Sequence, residues 1–177
     1  MENAFDDLLF DVRRSVRYHN RRRSFYDRFH KSNTVLGLIG GSAVVATLLA
    51  DRGPDFLPLV FGAVVAISSA LDLVIGSAGQ ARRHHDFARR YFNLEKEMVA
   101  AEPRNDRKKI SAWTQARLEI EAEEPPVMHV LNVICHNELC RALGYNENQM
   151  VKIGPVQRLL SNVVDVGEYK IKAGQAC

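Results

Sequence analysis

Residues 32–50 read SNTVLGLIGGSAVVATLLA, and residues 56–81 read FLPLVFGAVVAISSALDLVIGSAGQA. The first run carries no charge, and the second carries Asp72 alone. At 1.5 Å per residue the first makes a helix of roughly 28 Å, close to the hydrocarbon thickness of a bilayer. Between the runs lie Asp51-Arg52-Gly53-Pro54-Asp55, a set of turn formers with Gly53-Pro54 as the breaker. Two helices joined so tightly are antiparallel neighbours. A soluble fold would have to enclose two helices apolar on every side, and the rest of this 177-residue chain is too polar to do so. The expectation is a transmembrane hairpin with spans at about 32–50 and 56–81.

The flanks set its orientation. Arg13, Arg14, Arg17, Arg21, Arg22, Arg23, Arg28 and Lys31 precede the first run, and Arg82, Arg83, Arg89 and Arg90 follow the second. The connection holds Arg52 against Asp51 and Asp55. By the positive-inside rule both termini are cytoplasmic and the connecting loop lies outside. Glu2, Asp6, Asp7 and Asp11 leave no apolar core near the N-terminus, so no cleavable signal peptide is expected. The net charge of +3 and mean hydropathy of -0.19 average over these contrasts and hide them. The apolar share of 46% and charged share of 25% argue against wholesale disorder. Cys135, Cys140 and Cys177, odd in number and widely placed, argue against a disulfide scaffold.

The remaining segments read as cytosolic helices. Phe5, Leu8, Leu9, Val12 and Val16 fall at helical spacing in a segment that runs into the first span. After the second span, Phe87, Tyr91, Leu94 and Met98 recur at intervals of four and three, a seam suited to a helical partner, and Pro103 ends it. Ile110, Trp113, Leu118 and Ile120 mark a third amphipathic segment at about 106–124, stopped by Pro125-Pro126. A short helix follows from 127 to about 143 with Gly144 at its stop, and a weaker one at 155–162. The alternation at 168–172 is too short to count as a strand. The fold class is all-α: a basic amphipathic N-terminal helix at 1–31, the transmembrane hairpin at 32–81, a cytosolic helical bundle at 82–145 and a tail at 146–177.

Small residues line both spans. Gly37 and Gly41 form a GxxxG, Ser42 and Ala46 repeat the spacing, and Gly62, Ala66 and Ala70 do the same in the second span. Such residues let helix backbones approach where lipid supplies no hydrophobic drive, within the hairpin, between subunits, or both. Ser42, Thr47, Ser68 and Asp72 are the polar points and the candidate pore lining. Asp72 lies roughly 25 Å along the helix from Asp55, so interfacial anchoring by Lys31 or Arg82 stands beside pore lining as a second reading. The basic run is read first as a topology signal touching anionic lipid. Tyr18, Phe25, Tyr26 and Phe29 interleave with it as on some nucleic-acid surfaces, yet fit a helix core equally well, and direct nucleic-acid binding is not expected. His129, His136 and Cys140 share a helical face but lack any tight zinc-ligand spacing, so neither a metal nor another cofactor is expected. Without a Walker A, GxGxxG or GxSxG motif, the chain does not read as an enzyme.

Several stretches together resemble one family. An Arg-rich lead from Arg17 to His30 enters a two-span hairpin, and Ala81-Arg82-Arg83-His84 opens the next helix. Then come Glu119-Ile120-Glu121-Ala122-Glu123-Glu124-Pro125-Pro126 and Cys135-His136-Asn137-Glu138-Leu139. Over about residues 10–145 the arrangement resembles the SLATT family, the SMODS- and SLOG-associating two-transmembrane effector domains of prokaryotes. The resemblance implies an anti-phage effector that forms a homo-oligomer and breaches the inner membrane when a sensor, often a nucleotide-signal system, detects infection. It supplies no catalytic residue. Glu121, Glu123, Glu124, Pro125, Pro126, Cys135, His136, Asn137 and Glu138 match its motifs, and a structural role is expected of them: acidic side chains pairing with basic helices, Asn and His satisfying backbone groups near helix ends. No sensor domain is fused, so the trigger would act in trans or through the tail.

Two rivals share most of these features. One is a non-conducting membrane scaffold whose helical bundle recruits a cytosolic partner. The other is a soluble nucleic-acid-binding helical protein.

Overall fold

A computed structural model of the chain describes the backbone at residues 2–50, 56–102 and 106–166, and the side chains there except at 2, 3, 47–50 and 149. The connection at 51–55, Pro103, the alternation at 168–172 and Cys177 lie outside the described residues. Every long element is a helix: α1 Glu2–Ala50, α2 Phe56–Ile75, α3 Ser77–Ala100, α4 Arg107–Ala122, α5 His129–Ala142 and α6 Pro155–Leu160. A 3-10 turn at Glu147–Gln149 precedes α6, and no strand occurs among the described residues. Two compact units divide the chain, one of Met1–Arg22 and His84–Cys177, the other of Arg23–Arg83. Helices α1 and α3 each contribute to both.

The first unit is built on the apolar seams that the spacing predicts. Phe5, Leu8 and Val12 of α1, Phe87, Tyr91, Leu94 and Met98 of α3, and Trp113 and Ile120 of α4 form one core. Phe5 meets the Trp113 ring edge-on at 5.9 Å. Leu118 departs from the expectation and is exposed. Five residues past Trp113 its side chain points about 140° away from the core-facing row, while Ala116 and Ile120 stay on it.

Helix α5 is covered on two sides, by Tyr18 and Met128 against Leu131 and Cys135, and by Val151 and Ile153 against Val130 and Ile134. Its N-cap residue, Met128, offers no side-chain acceptor. The carboxylate of Asp165 supplies one instead, accepting from the His129 and Val130 amides at 2.7 and 3.0 Å. At the other end Gly144 takes φ of 79°. The Gly144 amide then donates to Arg141 and the Tyr145 amide to Cys140, a Schellman stop that a side chain at this φ would strain.

In the second unit, α1 and α2 run antiparallel where they meet. Going up α1, His30 meets Asp72, Asn33 meets Ser68 and Gly40 meets Val65. No residue of α2 is buried. Among the described residues one helical stretch, beginning at Phe56, is long and apolar enough to cross a membrane. The run read from the sequence as one span over 56–81 is broken at Gly76, whose φ of 64° ends α2 and starts α3.

Candidate functional site

The IEAEEPP stretch ends α4 and turns each of its acidic side chains to a different partner. Glu121 accepts from Arg117 Nε at 2.9 Å, and Arg117 also reaches Asp11 of α1 at 2.5 Å. Glu123 makes a two-pronged pair with Arg90 of α3, at 2.7 and 2.9 Å. The guanidinium holds the Glu123 carboxyl below the usual carboxylate range. Glu124, almost buried, faces His19 Nε2 at 3.0 Å. Beyond Pro125-Pro126 the Met128 amide donates to the Tyr18 hydroxyl at 2.9 Å.

His19 continues the α1 seam seven residues beyond Val12, and His84 precedes Phe87 on the α3 seam by three. Both rings are therefore core positions, each 1% exposed. Their Nδ1 atoms lie 2.9 Å apart, and Tyr91 stacks on His19 at 5.7 Å. The carboxylate of Glu124 requires a hydrogen on His19 Nε2. In the neutral pair His84 Nδ1 then donates to His19 Nδ1. The Tyr91 hydroxyl is pushed up in pKa by burial and by Glu124 beside it. A hollow of about 310 Å³ opens on this network, lined by Ser15, Tyr18, His19, Glu121, Glu124 and Asn132 among others.

The CHNEL stretch lies on α5. Cys135 is fully buried against Tyr18 and Leu131, and burial pushes its thiol up to about 12. His136 meets Phe10 edge-on at 5.2 Å and approaches the Cys140 sulfur at 3.5 Å. Burial and the nearby Arg14 hold it below the ordinary imidazole value. Asn137 accepts from the Val151 amide at 3.0 Å and donates to its carbonyl at 2.7 Å, fixing the strap that covers α5. Glu138 pairs with Arg21. His136 and Phe10 also border a second hollow, of about 480 Å³, with Arg13, Arg14 and Tyr145. Among the described residues no group of three or more His, Cys, Asp or Glu side chains is arranged to hold a metal ion.

The basic residues divide between two situations. Arg13 pairs with Glu95 at 2.7 Å, Arg14 with Asp11 at 2.8 Å, and Arg22 donates to the Asn162 carbonyl at 2.6 Å. With Arg21 these belong to the first unit, and Arg17 is half-buried there. Arg28, Lys31, Arg82 and Arg83 are exposed in the second unit, where Arg23 lies 4.0 Å from Asp27.

Asp72 is held by His30 Nδ1 at 2.8 Å and by the Ser77 hydroxyl, in place of the Lys31 or Arg82 named from the sequence. Lys31 is one position, about 100°, further round α1 and is exposed. Ser68 donates to Asn33, and Ser42 to its own helix at the Leu38 carbonyl. The Thr47 side chain lies outside the described residues. Gly37, Gly41 and Gly62 have nothing within 4 Å of a Cβ position, and Ala66 and Ala70 are exposed. The close approach falls instead at Gly40, where a Cβ would stand 2.6 Å from Val65. Sequence reasoning gave no role to His19, His84, His30, Asn33, Gly40 or Asp165, although the three histidines stand in the stretches that carry the resemblance. For the first two a signal existed, since each extends an apolar seam by one position.

Compared with known proteins, the chain matches no family model, no curated protein and no solved structure.

Proposed function

We propose that the chain is an inner-membrane effector of a prokaryotic conflict system, anchored by a two-span hairpin with both termini in the cytoplasm. It assembles as a homo-oligomer and opens the bilayer when a signal or partner acts on its cytosolic helices in trans. The observation that carries the membrane reading is α2, which is apolar along its length yet buries no residue. Lipid accepts such a surface and water does not. Arg28, Lys31, Arg82 and Arg83, exposed at the ends of the apolar runs, suit the cytoplasmic headgroups. Gly37, Gly41 and Gly62, open within one protomer, offer flat faces to neighbouring copies. Two helices cannot enclose an aqueous path, so conduction needs several hairpins. The SLATT resemblance supports the defence assignment.

Reconstitution of the purified chain into dye-loaded vesicles tests this reading. Release of dye by an assembly of several copies, measured by mass in detergent, is the expected result. A monomer in detergent, or sealed vesicles together with undisturbed membrane potential in cells given the trigger, would refute it. The grip of His30 and Ser77 on Asp72 favours a second reading, a non-conducting scaffold in which Asp72 pins the two helices together. Asp72→Leu separates the two, changing conductance in a pore and leaving partner recruitment intact in a scaffold.

A further inference from the structure

Past the strap at 151–153, α6 and the turn after it present an apolar row that is exposed among the described residues. Val156, Leu159 and Val163 stand three and seven positions apart on one face, and they are 60%, 80% and 61% exposed. Leu159 is the most exposed large apolar side chain described in its unit. The segment is held firmly from behind. Gln157 bridges the Gly154 amide and the Val166 carbonyl, both at 3.0 Å, and Arg22 grips the Asn162 carbonyl. Ser161 on the rear face is 1% exposed.

The charges within this segment have one sign. From Met150 to Val164 the only charged residues are Lys152 and Arg158, both exposed, and the residues after 166 add Lys170 and Lys172 against Glu168. The nearby Asp165 is turned away, its two oxygens committed to the α5 amides. An apolar ridge flanked by exposed cations, with no outward carboxylate among the described residues of the segment, complements an anionic lipid surface. A second copy of the same face would bring like charges together.

We infer that the Val156–Leu159–Val163 ridge is an interfacial membrane contact, inserting its apolar side chains at the headgroup boundary while Lys152 and Arg158 meet lipid phosphates. This rests on the membrane reading above for its setting, and the test separates the two. The full chain carrying Leu159→Trp, or Val74→Trp in α2, is reconstituted in vesicles of phosphatidylcholine and phosphatidylglycerol, with emission from Trp113 of the parent chain subtracted. Leu159 and Val74 are both largely exposed, so a larger ring at either site leaves the core alone. Lipid brominated near the headgroup end of the acyl chain should quench the tryptophan at 159 and shift its emission to the blue. Arg158→Glu should weaken that quenching. An unquenched signal at 159 beside a quenched one at 74 overturns the inference and leaves the span standing. The reverse pattern supports the surface contact and refutes the span. A blue shift at 159 without quenching means that protein covers the ridge, which also overturns the inference. Loss of quenching at both positions removes both readings.

Discussion

Cys135 and His136 are neighbours on α5 whose chemistry is set by what surrounds them. With its thiol pushed up to about 12, Cys135 has almost no thiolate at neutral pH, and its sulfur is inaccessible. Iodoacetamide at neutral pH should therefore leave Cys135 unmodified in the folded chain and label it after denaturation, as read by peptide mass mapping. His136, held below the ordinary 6.5, takes up its proton later than the same residue in the unfolded chain as pH falls. Its contribution is complete above 6.5 and declines as pH drops below that value. Thermal unfolding followed between about pH 7.5 and pH 5 should lose stability on the acid side, and His136→Phe should flatten that slope. An unchanged slope would mean that other groups govern it.

Among the helices, two contacts decide more than their size suggests. Asp165 satisfies two amides at the start of α5, where the local residue cannot. Asp165→Ala should cost about 0.5–2 kcal/mol, measured by denaturant unfolding, while Asp165→Asn should recover part of it. Gly40 lets α1 and α2 approach, and Gly40→Leu should destabilise their pairing by about 1–3 kcal/mol in a detergent titration. Gly37→Leu should leave the protomer's stability unchanged and act on association alone. This pairing shows where sequence reading stops. The GxxxG spacing named Gly37 and Gly41, because spacing reveals that small residues share a face but not which face meets the neighbour. The seam from Phe87 to Met98 was legible because burial repeats every three or four residues on one helix. Leu118 was not, since an apolar residue outside the repeat gives no sign of its exposure. Helix starts and stops followed from Gly144 and Pro155, whereas Asp165 acts across 36 residues and leaves no local trace.

For the whole molecule, the prediction concerns where the chain resides. It should stay in the membrane pellet through an alkaline carbonate wash, and Gly53→Cys should react with an impermeant thiol reagent added from outside intact spheroplasts. Reaction only after lysis would reverse the topology. The all-helical architecture and the core of the first unit were readable from periodicity and punctuation. The ion pairs between helices, such as Arg13 with Glu95 and Arg90 with Glu123, and the histidine pair were not, because each joins residues far apart in sequence that only the folded body makes neighbours. The clasp on α5 also has a consequence for how the protein is made. A ribosome adding about 5–20 residues per second needs roughly 2–7 s to travel from His129 to Asp165. Through that interval the opening turn of α5 has no acceptor for its amides, although Val130 is destined to be wholly enclosed. The nascent chain thus passes through a stage that water or a chaperone must shelter, and release of a product cut short before Asp165 would leave that turn frayed and open to proteolysis.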